Sequence, residues 1–585
     1  MLTCAASQAL AQAPSNVLLV ANDREPVSGQ VAAYYASRRN LPPEQVVHIE
    51  TATTERISRD DYARQIEAPV RAWLQAHDAQ DRILYIVLTK GVPLAISGTE
   101  GPTGTMSSVD SELTLLYRRM SGVPVSIDGS VENPYFAAAG ATQAPTFSHA
   151  SFDIYLVTRL DGFTAQDAMA LVDRSIAASR DGSIVVSSRQ TAQPSATDQW
   201  VDRTIDRLTE IGAKDRVALW RTDAGSPPAA RAIGYLSSGS NDPATAGRTP
   251  PLAFSPGALA AMFLSTDART MVEPPAQWKP SPAGLNYAGS SQSLIGDLVR
   301  AGVTGVAGQV SEPYLAGTVH PDRLFPGYLS GLNLAEAFYR SIPVLSWHTI
   351  VIGDPLCAPF RDQGLSEAEA SPAIASDTEL PAYFSQRRLA HIEPKEKWAP
   401  ALVRAETRLV KGNRAGAIDA LEQAVADGAN TLAIWRPLGD LREDAKQYAQ
   451  AAEAYERALA VGPDDVIVLN NLAYLRAVHL KQPEAARPLA ERALKLSRGS
   501  PIVADTAGWI RHLVGDDAEA VPLIEMARAA LPGNADVQLH AAVVYAAGGR
   551  LQDASSALKA AAAADKAVVT RVEYIAVERK LSGGT

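Results

Sequence analysis

The chain has 585 residues, which is too long for a single hydrophobic core and indicates several domains. Its composition, 46% apolar and 20% charged, is typical of a globular protein. A net charge of −10 without a Lys/Arg cluster argues against nucleic-acid binding, and no apolar run approaches the roughly 18–20 residues that span a bilayer. Because Cys4 and Cys357 are the only cysteines, a disulfide framework and a Cys-rich metal site are both excluded.

The first thirteen residues, MLTCAASQALAQA, resemble the end of a secretory signal, because small residues close them in A-x-A form. Pro14 favours cleavage after Ala11 over cleavage after Ala13. A basic region is missing and the apolar stretch is short, so a disordered tail is the alternative. We expect residues 1–13 to be a truncated signal. The mature protein would then lack Cys4 and be periplasmic, secreted or envelope-associated.

Residues 14–361 alternate between β-rich runs and helical segments, which predicts an α/β domain with an open, mostly parallel sheet. The run ILYIVLTKGVP (83–93) is continuously apolar, as in a parallel strand buried on both faces. Active residues in such sheets gather at the carboxyl ends of strands. The predicted strands are 16–21, 46–50, 83–93, 183–188, 216–220, 259–266, 303–310 and 348–354. The predicted helices are 27–39, 58–76, 164–179, 198–211, 291–301 and 332–341.

Several stretches interrupt this alternation. Residues 97–150 are rich in Gly, Ser, Thr and Pro, which predicts a long insertion over the sheet edge. Residues 240–257 and 273–290 are predicted loops, and loops of this length are usually functional or disordered. Residues 362–395 are polar and rich in Ser, Ala and Pro, so we predict a linker there.

From residue 398 to residue 568 the sequence repeats itself about every 34 positions. Alanine or glycine recurs where paired helices must approach closely, and Leu or Tyr recurs where neighbouring hairpins need filling. We count five copies, the third with a one-residue insertion, and expect residues 569–581 to form a capping helix. The reference copy consists of Trp435, Leu438, Gly439, Ala451, Tyr455, Ala458 and Pro463.

This pattern resembles the tetratricopeptide repeats, a family of stacked helical hairpins that bind other polypeptides. The resemblance implies an all-α solenoid over residues 396–585. It also implies a protein or peptide partner held in the concave groove, without indicating which residues contact that partner.

Several motifs of the α/β region resemble an uncharacterised bacterial family of exported or envelope proteins, and they cover most of residues 16–360. A strand, a Gly-rich turn, a second strand, an amphipathic helix and a terminal Gly-Asp-Pro follow one another here. This order of elements also resembles that of the gingipain and caspase-like peptidases. The motifs are KGVPLAI (90–96), SVDSEL (108–113), YLVTRLDG (155–162), GYLSSGSND (234–242), VTGVAGQVSEPYL (303–315) and LNLAEAFYRSIPVLSWHTIVIGDPLCAPF (332–360).

The peptidase resemblance implies a cysteine nucleophile and a histidine base, each at a strand end. The histidine would fall within 234–239, where there is none, and the cysteine at the end of LAAMFLST, where Ser265 and Thr266 stand. Cys357 follows the last strand and is more often a packed apolar residue. The sequence therefore lacks the catalytic pair.

The remaining chemical candidates are a serine and several carboxylates near predicted strand ends. Ser238, Asp242, Glu312 and Asp354 are candidates for hydrolytic chemistry. Asp110 and Asp242 could join backbone oxygens around a calcium ion, which is the one cofactor we consider. The alternative is structural, because Asp in Gly-Asp-Pro commonly fixes a loop through backbone amides.

Two functions from different classes follow. The first is an exported interaction scaffold, with a peptidase-like domain that lacks the Cys-His pair and a repeat array that binds a polypeptide. The second is a hydrolase that uses carboxylates or a serine at the sheet edge, with the repeats recruiting its substrate. A cytosolic assembly factor is a third possibility if no export occurs.

Overall fold

A computed structural model describes residues 13–137, 146–188, 196–221, 226–228, 231–241, 247–281, 284–362, 372–392 and 396–583. The chain forms two compact units, Met1–Pro394 and Lys395–Thr585.

The first unit is an α/β domain. Its strands are β1 (Val17–Asn22), β2 (Val46–Ile49), β3 (Arg56–Ile57), β4 (Tyr85–Thr89), β5 (Ala95–Ile96), β6 (Ser107–Ser108), β7 (Val131–Glu132), β8 (Leu156–Leu160), β9 (Ser183–Ser188), β10 (Val217–Arg221), β11 (Ala232–Ser237), β12 (Phe254–Met262), β13 (Gly305–Gln309), β14 (Val344–Leu345) and β15 (Thr349–Ile352). Its helices are α1 (Pro26–Arg39), α2 (Arg59–Tyr62), α3 (Ala68–Ala76), α4 (Val109–Leu113), α5 (Leu116–Ser121), α6 (Pro134–Ala137), α7 (Ala165–Ile176), α8 (Ala196–Glu210), α9 (Ile295–Ala301), α10 (Pro321–Leu329), α11 (Leu334–Tyr339) and α12 (Ala382–Ala390).

Ten of these strands form one sheet in the order β10-β9-β11-β12-β13-β15-β8-β4-β1-β2. Strands β2, β1, β4 and β8 run parallel to one another, and so do β10, β9, β11, β12 and β13. The predicted open, mostly parallel sheet is therefore confirmed. Strand β15 runs antiparallel to β13 and lies inside the sheet. Strands β8 and β11 are additions to the predicted set.

The predicted insertion at 97–150 is not simply a cover over the sheet edge, because its first part belongs to the core. All five residues of α4 are buried. Ser108 donates from Oγ to the carbonyl of Thr349 in β15 at 2.7 Å, and its amide donates to the carbonyl of Trp347 at 2.7 Å. The composition of 97–150 predicted a surface insertion because the buried helix is short and lies between Gly- and Ser-rich turns.

The linker prediction for 362–395 also needs correction, because α12 folds onto the first unit. Asp81 accepts hydrogen bonds from the amides of Tyr383 (2.8 Å) and Phe384 (3.1 Å). The Phe384 ring meets Tyr117 edge to face, with centroids 5.2 Å apart. A carboxylate at the helix start and one buried ring thus anchor a segment whose composition is polar.

The second unit is all-helical, as predicted, and consists of five helical hairpins followed by one helix. The hairpins are α13 (Ala399–Val410) with α14 (Arg414–Ala426), α15 (Leu432–Asp444) with α16 (Tyr448–Val461), α17 (Val466–Tyr474) with α18 (Pro483–Leu496), α19 (Pro501–Leu513) with α20 (Asp517–Ala530), and α21 (Ala535–Ala547) with α22 (Leu551–Ala564). The last helix is α23 (Val572–Leu581).

Small residues allow the two helices of a hairpin to approach closely. A Cβ added to Gly439 in α15 would lie 2.4 Å from the Tyr455 ring in α16. A Cβ added to Gly508 in α19 would lie 2.8 Å from Ile524 in α20. The repeated glycine or alanine is therefore a packing requirement of each hairpin.

We predict that Gly439→Ala destabilises the second hairpin by about 1–2 kcal/mol. Overpacking against Tyr455 costs about 1–3 kcal/mol, and the higher helix propensity of alanine offsets up to about 1 kcal/mol of that. Hydrogen exchange of α15 and α16 in the full chain measures the change. Gly533→Ala is the control, because nothing lies within 4 Å of its added Cβ. Equal hydrogen-exchange protection of α15 and α16 in the Gly439→Ala and Gly533→Ala variants would contradict the close approach of these two helices.

Candidate functional site

Asp110 is held in a buried ion pair. It lies in α4 and is fully buried, and its Oδ1 accepts from Nε of Arg159 in β8 at 2.9 Å. Burial raises the pKa of Asp110, against the lowering effect of Arg159. Both carboxylate oxygens accept from the guanidinium, so the partner that the structure gives Asp110 is Arg159, and the calcium site stays a prediction.

Asp354 has a structural role at the turn after β15. Its Oδ2 accepts from Arg39 Nε at 2.7 Å and its Oδ1 from the Tyr35 hydroxyl at 3.1 Å, both in α1. Oδ1 also accepts from the amide of Leu356 at 3.0 Å. These bonds fix the Gly-Asp-Pro turn to the helix, as in the structural alternative for this motif.

The other candidates have different surroundings. Glu312 is exposed and accepts from the amide of Tyr314 at 3.0 Å, and half-buried Ser238 follows β11. Asp242 lies outside the described residues. Among the residues with described positions, no hydrogen bond or ion pair joins any two candidates, and no three metal-ligating side chains cluster. The four candidates with described positions, Asp110, Ser238, Glu312 and Asp354, therefore do not form one hydrogen-bonded cluster.

The strand ends where the resembled peptidases carry their catalytic pair are occupied by structural contacts. After β11, Ser237 Oγ accepts from the amide of Gly239 at 2.9 Å. After β12, the amides of Ser265 (3.1 Å) and Thr266 (3.0 Å) donate to Gln292 Oε1. Cys357 is buried elsewhere, and burial raises the pKa of its thiol to about 11.

A cleft of about 200 Å³ opens at the carboxyl ends of β1, β4 and β8. The chain passes from β1 to β2 on one side and later to β4 on the other, and ligands of open α/β sheets bind at such switch points. Sequence reasoning missed this cleft, although KGVP (90–93) supplies one wall. Its lining residues are Glu25, Val27, Thr53, Thr54, Glu55, Lys90, Gly91, Val92, Leu94, Asp161, Met271 and Val272.

Buried charges support the floor of this cleft. Arg159 is fully buried and uses all five of its donors on Asp110, Asp161 and the carbonyls of Val92 and Pro93. Lys90 Nζ in turn lies 3.3 Å from Oδ1 of Asp161. The charges of Asp110, Arg159, Asp161 and Lys90 therefore alternate in sign from the core to the cleft wall, and each is paired with its neighbour.

The turn after β4 is fixed by polar side chains from β1 and α1. Asn22 Nδ2 donates to the carbonyl of Gly91 at 2.8 Å, and Asn22 Oδ1 accepts from the amide of Thr51 at 3.2 Å. Ser28 and Thr89 share a hydrogen bond of 2.5 Å between their hydroxyls. One side of the cleft is therefore preorganised rather than mobile.

The second unit presents a different candidate surface on the first helices of its hairpins. Asn470 and Asp505 follow Arg436 at intervals of 34 and 35 residues, so these three occupy equivalent positions on successive first helices. His540 lies one residue past the equivalent position on the next first helix. His540 Nδ1 and Asp505 Oδ2 are 2.9 Å apart, and the ring of His540 stacks on Trp509 with centroids 4.3 Å apart. We name this surface the first-helix face.

Two acceptors on the first-helix face are buried without a partner. Asn470 Oδ1 and Asp505 Oδ1 have no hydrogen-bond partner in the described structure, although their residues are only 9% and 8% exposed. One helical turn or less before them, Ile467 and Ile502 are 50% and 59% exposed. Burial raises the pKa of nearby Tyr474 to about 12, helped by Asp536. Each buried acceptor without a partner needs an explanation, and an exposed apolar side chain lies beside both of these.

These hairpins define the second unit as a helical-hairpin solenoid. Residues 436–501, which span the second and third hairpins, match the tetratricopeptide repeat family. Among curated proteins, none matches the sequence of this chain. In the part of the chain that the structure describes, no helix has the length and apolarity that crossing a bilayer requires.

Three solved structures are among those similar to part of this chain. YrrB, described as a TPR protein with an unusual peptide-binding site, is 18% identical and has a TM-score of 0.28 over 33% of this chain and 97% of its own. PilF of Pseudomonas aeruginosa is 16% identical, with a TM-score of 0.29 over 34% and 87%. The type IV pilus biogenesis factor PilW is 18% identical, with a TM-score of 0.28 over 32% and 84%. The repeat assignment rests on the family match and on the hairpins themselves.

We predict that Asp110→Asn destabilises the first unit by about 3–5 kcal/mol, because it leaves the buried Arg159 charge uncompensated. Urea titration of the full chain, followed through hydrogen exchange of β8, measures the loss. Asp181→Asn is the control, because Asp181 is exposed. If Asp110 held calcium instead, Ca²⁺ would stabilise the parent protein and leave the variant unchanged.

Proposed function

We propose that this protein is an interaction scaffold whose repeat array binds a polypeptide on the first-helix face. The observation that carries the proposal is the pair of buried, unpartnered acceptors, Asn470 Oδ1 and Asp505 Oδ1, on neighbouring first helices. A buried acceptor without a partner costs about 1–3 kcal/mol. Both atoms are shielded from solvent in this structure, so a bound chain removes that cost only where the two side chains turn outward to meet its donors.

The surroundings favour a partner with both donors and apolar side chains. Ile467 lies three residues before Asn470 and Ile502 three residues before Asp505, so each exposed isoleucine shares a helix face with an unpartnered acceptor. An extended segment offers backbone N–H groups and side chains at regular intervals. It could therefore satisfy the acceptors while covering the isoleucines.

For the first unit we propose a gingipain/caspase-like domain that has lost peptidase chemistry, in an exported protein. The sequence motifs of residues 90–360 support the likeness, and structural hydrogen bonds occupy both strand ends where the pair would lie. Export rests on the A-x-A segment within residues 1–13, nearly all of which lies outside the described residues. The hydrolase alternative has less support, because its candidate Asp354 is held in an ion pair with Arg39.

We predict that Ile467→Glu and Ile502→Glu each weaken peptide binding by about tenfold or more. Burying an isoleucine contributes about 1.5–3 kcal/mol, and the glutamate at position 502 would also place a charge beside the Asp505 carboxylate. Peptides selected from a random display library against the full chain are synthesised, and their dissociation constants for parent and variants are compared by calorimetry.

Leu551→Glu is the matched control for these variants. Leu551 begins the second helix of the fifth hairpin and is 45% exposed, so the substitution adds the same charge to another face of the array. Peptides that bind both isoleucine variants as tightly as the parent would place the binding surface elsewhere and exclude the first-helix face.

A further inference from the structure

The cleft beside β1 and β4 has an excess of negative charge. Its lining contains three carboxylates, those of Glu25, Glu55 and Asp161, and one cation, Lys90. Asp161 is paired with Lys90 and also accepts from Arg159. Arg159 is in turn balanced by Asp110 beneath the floor. Glu25 and Glu55 are therefore left uncompensated at the cleft.

Lys90 is not available to a ligand in this arrangement. Its ammonium has three N–H donors, and Nζ has three acceptors in reach, namely Asp161 Oδ1 at 3.3 Å, the Gly162 carbonyl at 2.7 Å and the Met271 carbonyl at 3.4 Å. Although α1 begins at the cleft and a helix start favours anions, the one cation of the lining is engaged. An anionic ligand would face two free carboxylates.

Glu25 is placed over the cleft by a glycine. Gly91 has a φ of +96°, and a Cβ added to it would lie 2.4 Å from Cγ of Glu25. The stem of Glu25 thus lies directly on the turn after β4. Within the described ranges, its carboxylate takes part in no hydrogen bond or ion pair, so both oxygens are free to accept.

Glu55 is fixed from the opposite side. Its Oε1 accepts from the amide of Met271 at 2.6 Å, and its carbonyl accepts from the amides of Leu94 (2.8 Å) and Ala95 (3.0 Å). Among the described residues, its Oε2 has no hydrogen-bond partner. The two glutamates therefore offer oriented acceptors on two walls of one small cavity.

We propose that this cleft binds an alkyl cation, a guanidinium or ammonium group on an aliphatic stem, with Glu25 and Glu55 as its acceptors. A volume of about 200 Å³ suits one side chain rather than a cofactor. The walls formed by Val27, Val92 and Leu94 suit the apolar stem of such a group. The arginine or lysine side chain of a polypeptide and a free diamine share this chemistry.

The test is calorimetric titration of the full chain with four probes. Acetyl-Gly-Arg-Gly-amide represents the polypeptide source, and agmatine represents the free cation. Acetyl-Gly-citrulline-Gly-amide keeps the shape of the arginine peptide without its charge, and inorganic phosphate tests anion binding. We expect at least one cation to bind, and the citrulline peptide to bind at least about tenfold more weakly than the arginine peptide.

Two variants locate the binding. Glu25→Gln and Glu55→Gln each remove one charge but keep an acceptor oxygen, and each is expected to weaken the cation about tenfold. Glu132→Gln, in exposed β7, is the control. If the arginine peptide binds more tightly than agmatine, the natural ligand is a polypeptide side chain. If agmatine binds more tightly, it is a free cation. Absence of cation binding, equal binding of arginine and citrulline, or cation affinity unchanged in both variants would overturn the proposal. So would binding of phosphate alone.

Discussion

The organisation of the first unit depends on one buried guanidinium. Arg159 is among the largest fully buried side chains, and it lies in a central strand of the sheet. An unpaired charge there would be very unfavourable, so its surroundings must supply acceptors. They come from α4 through Asp110, from the turn after β4 through two carbonyls, and from the strand's own end through Asp161. This requirement draws α4, which lies within the Gly- and Ser-rich segment, into the core.

The same residue explains why the sheet was only partly predictable from the sequence. Continuous apolar runs such as VLLVAN and YIVLT identify β1 and β4, because strands buried on both faces show that pattern. Strand β8 (LVTRL) contains a charge whose partners, apart from Asp161, come from distant segments. Strand β11 contains Gly234, whose missing Cβ makes room for Ile184 and Phe325. Each departs from the local pattern for a long-range reason, and no single window of sequence contains that reason.

The candidate sites also contain some features that the sequence shows and others that depend on long-range contacts. Repeats are visible in sequence because each hairpin makes the same local contacts, such as Gly439 against Tyr455. The partner-facing residues do not stand out, since Asn470 and Asp505 are ordinary polar residues until three-dimensional neighbours leave one oxygen of each without a donor. At the sheet edge, residue type alone pointed to Asp354, yet Arg39 and Tyr35 engage it. Of the carboxylates that line the described cleft, Glu25 and Glu55 take part in no ion pair, and the tertiary fold brings them together from the loops after β1 and β2.

The two units therefore differ in what their unpaired groups can recognise. The first-helix face combines buried acceptors with exposed isoleucines, which suits the regular donors and side chains of an extended backbone. The cleft combines two oriented carboxylates with a short apolar wall, which suits a single cationic side chain. A polypeptide with a basic residue carries both kinds of group. Because the surfaces belong to different units, each contribution to binding is separable by substitution, and neither requires a catalytic pair in the sheet.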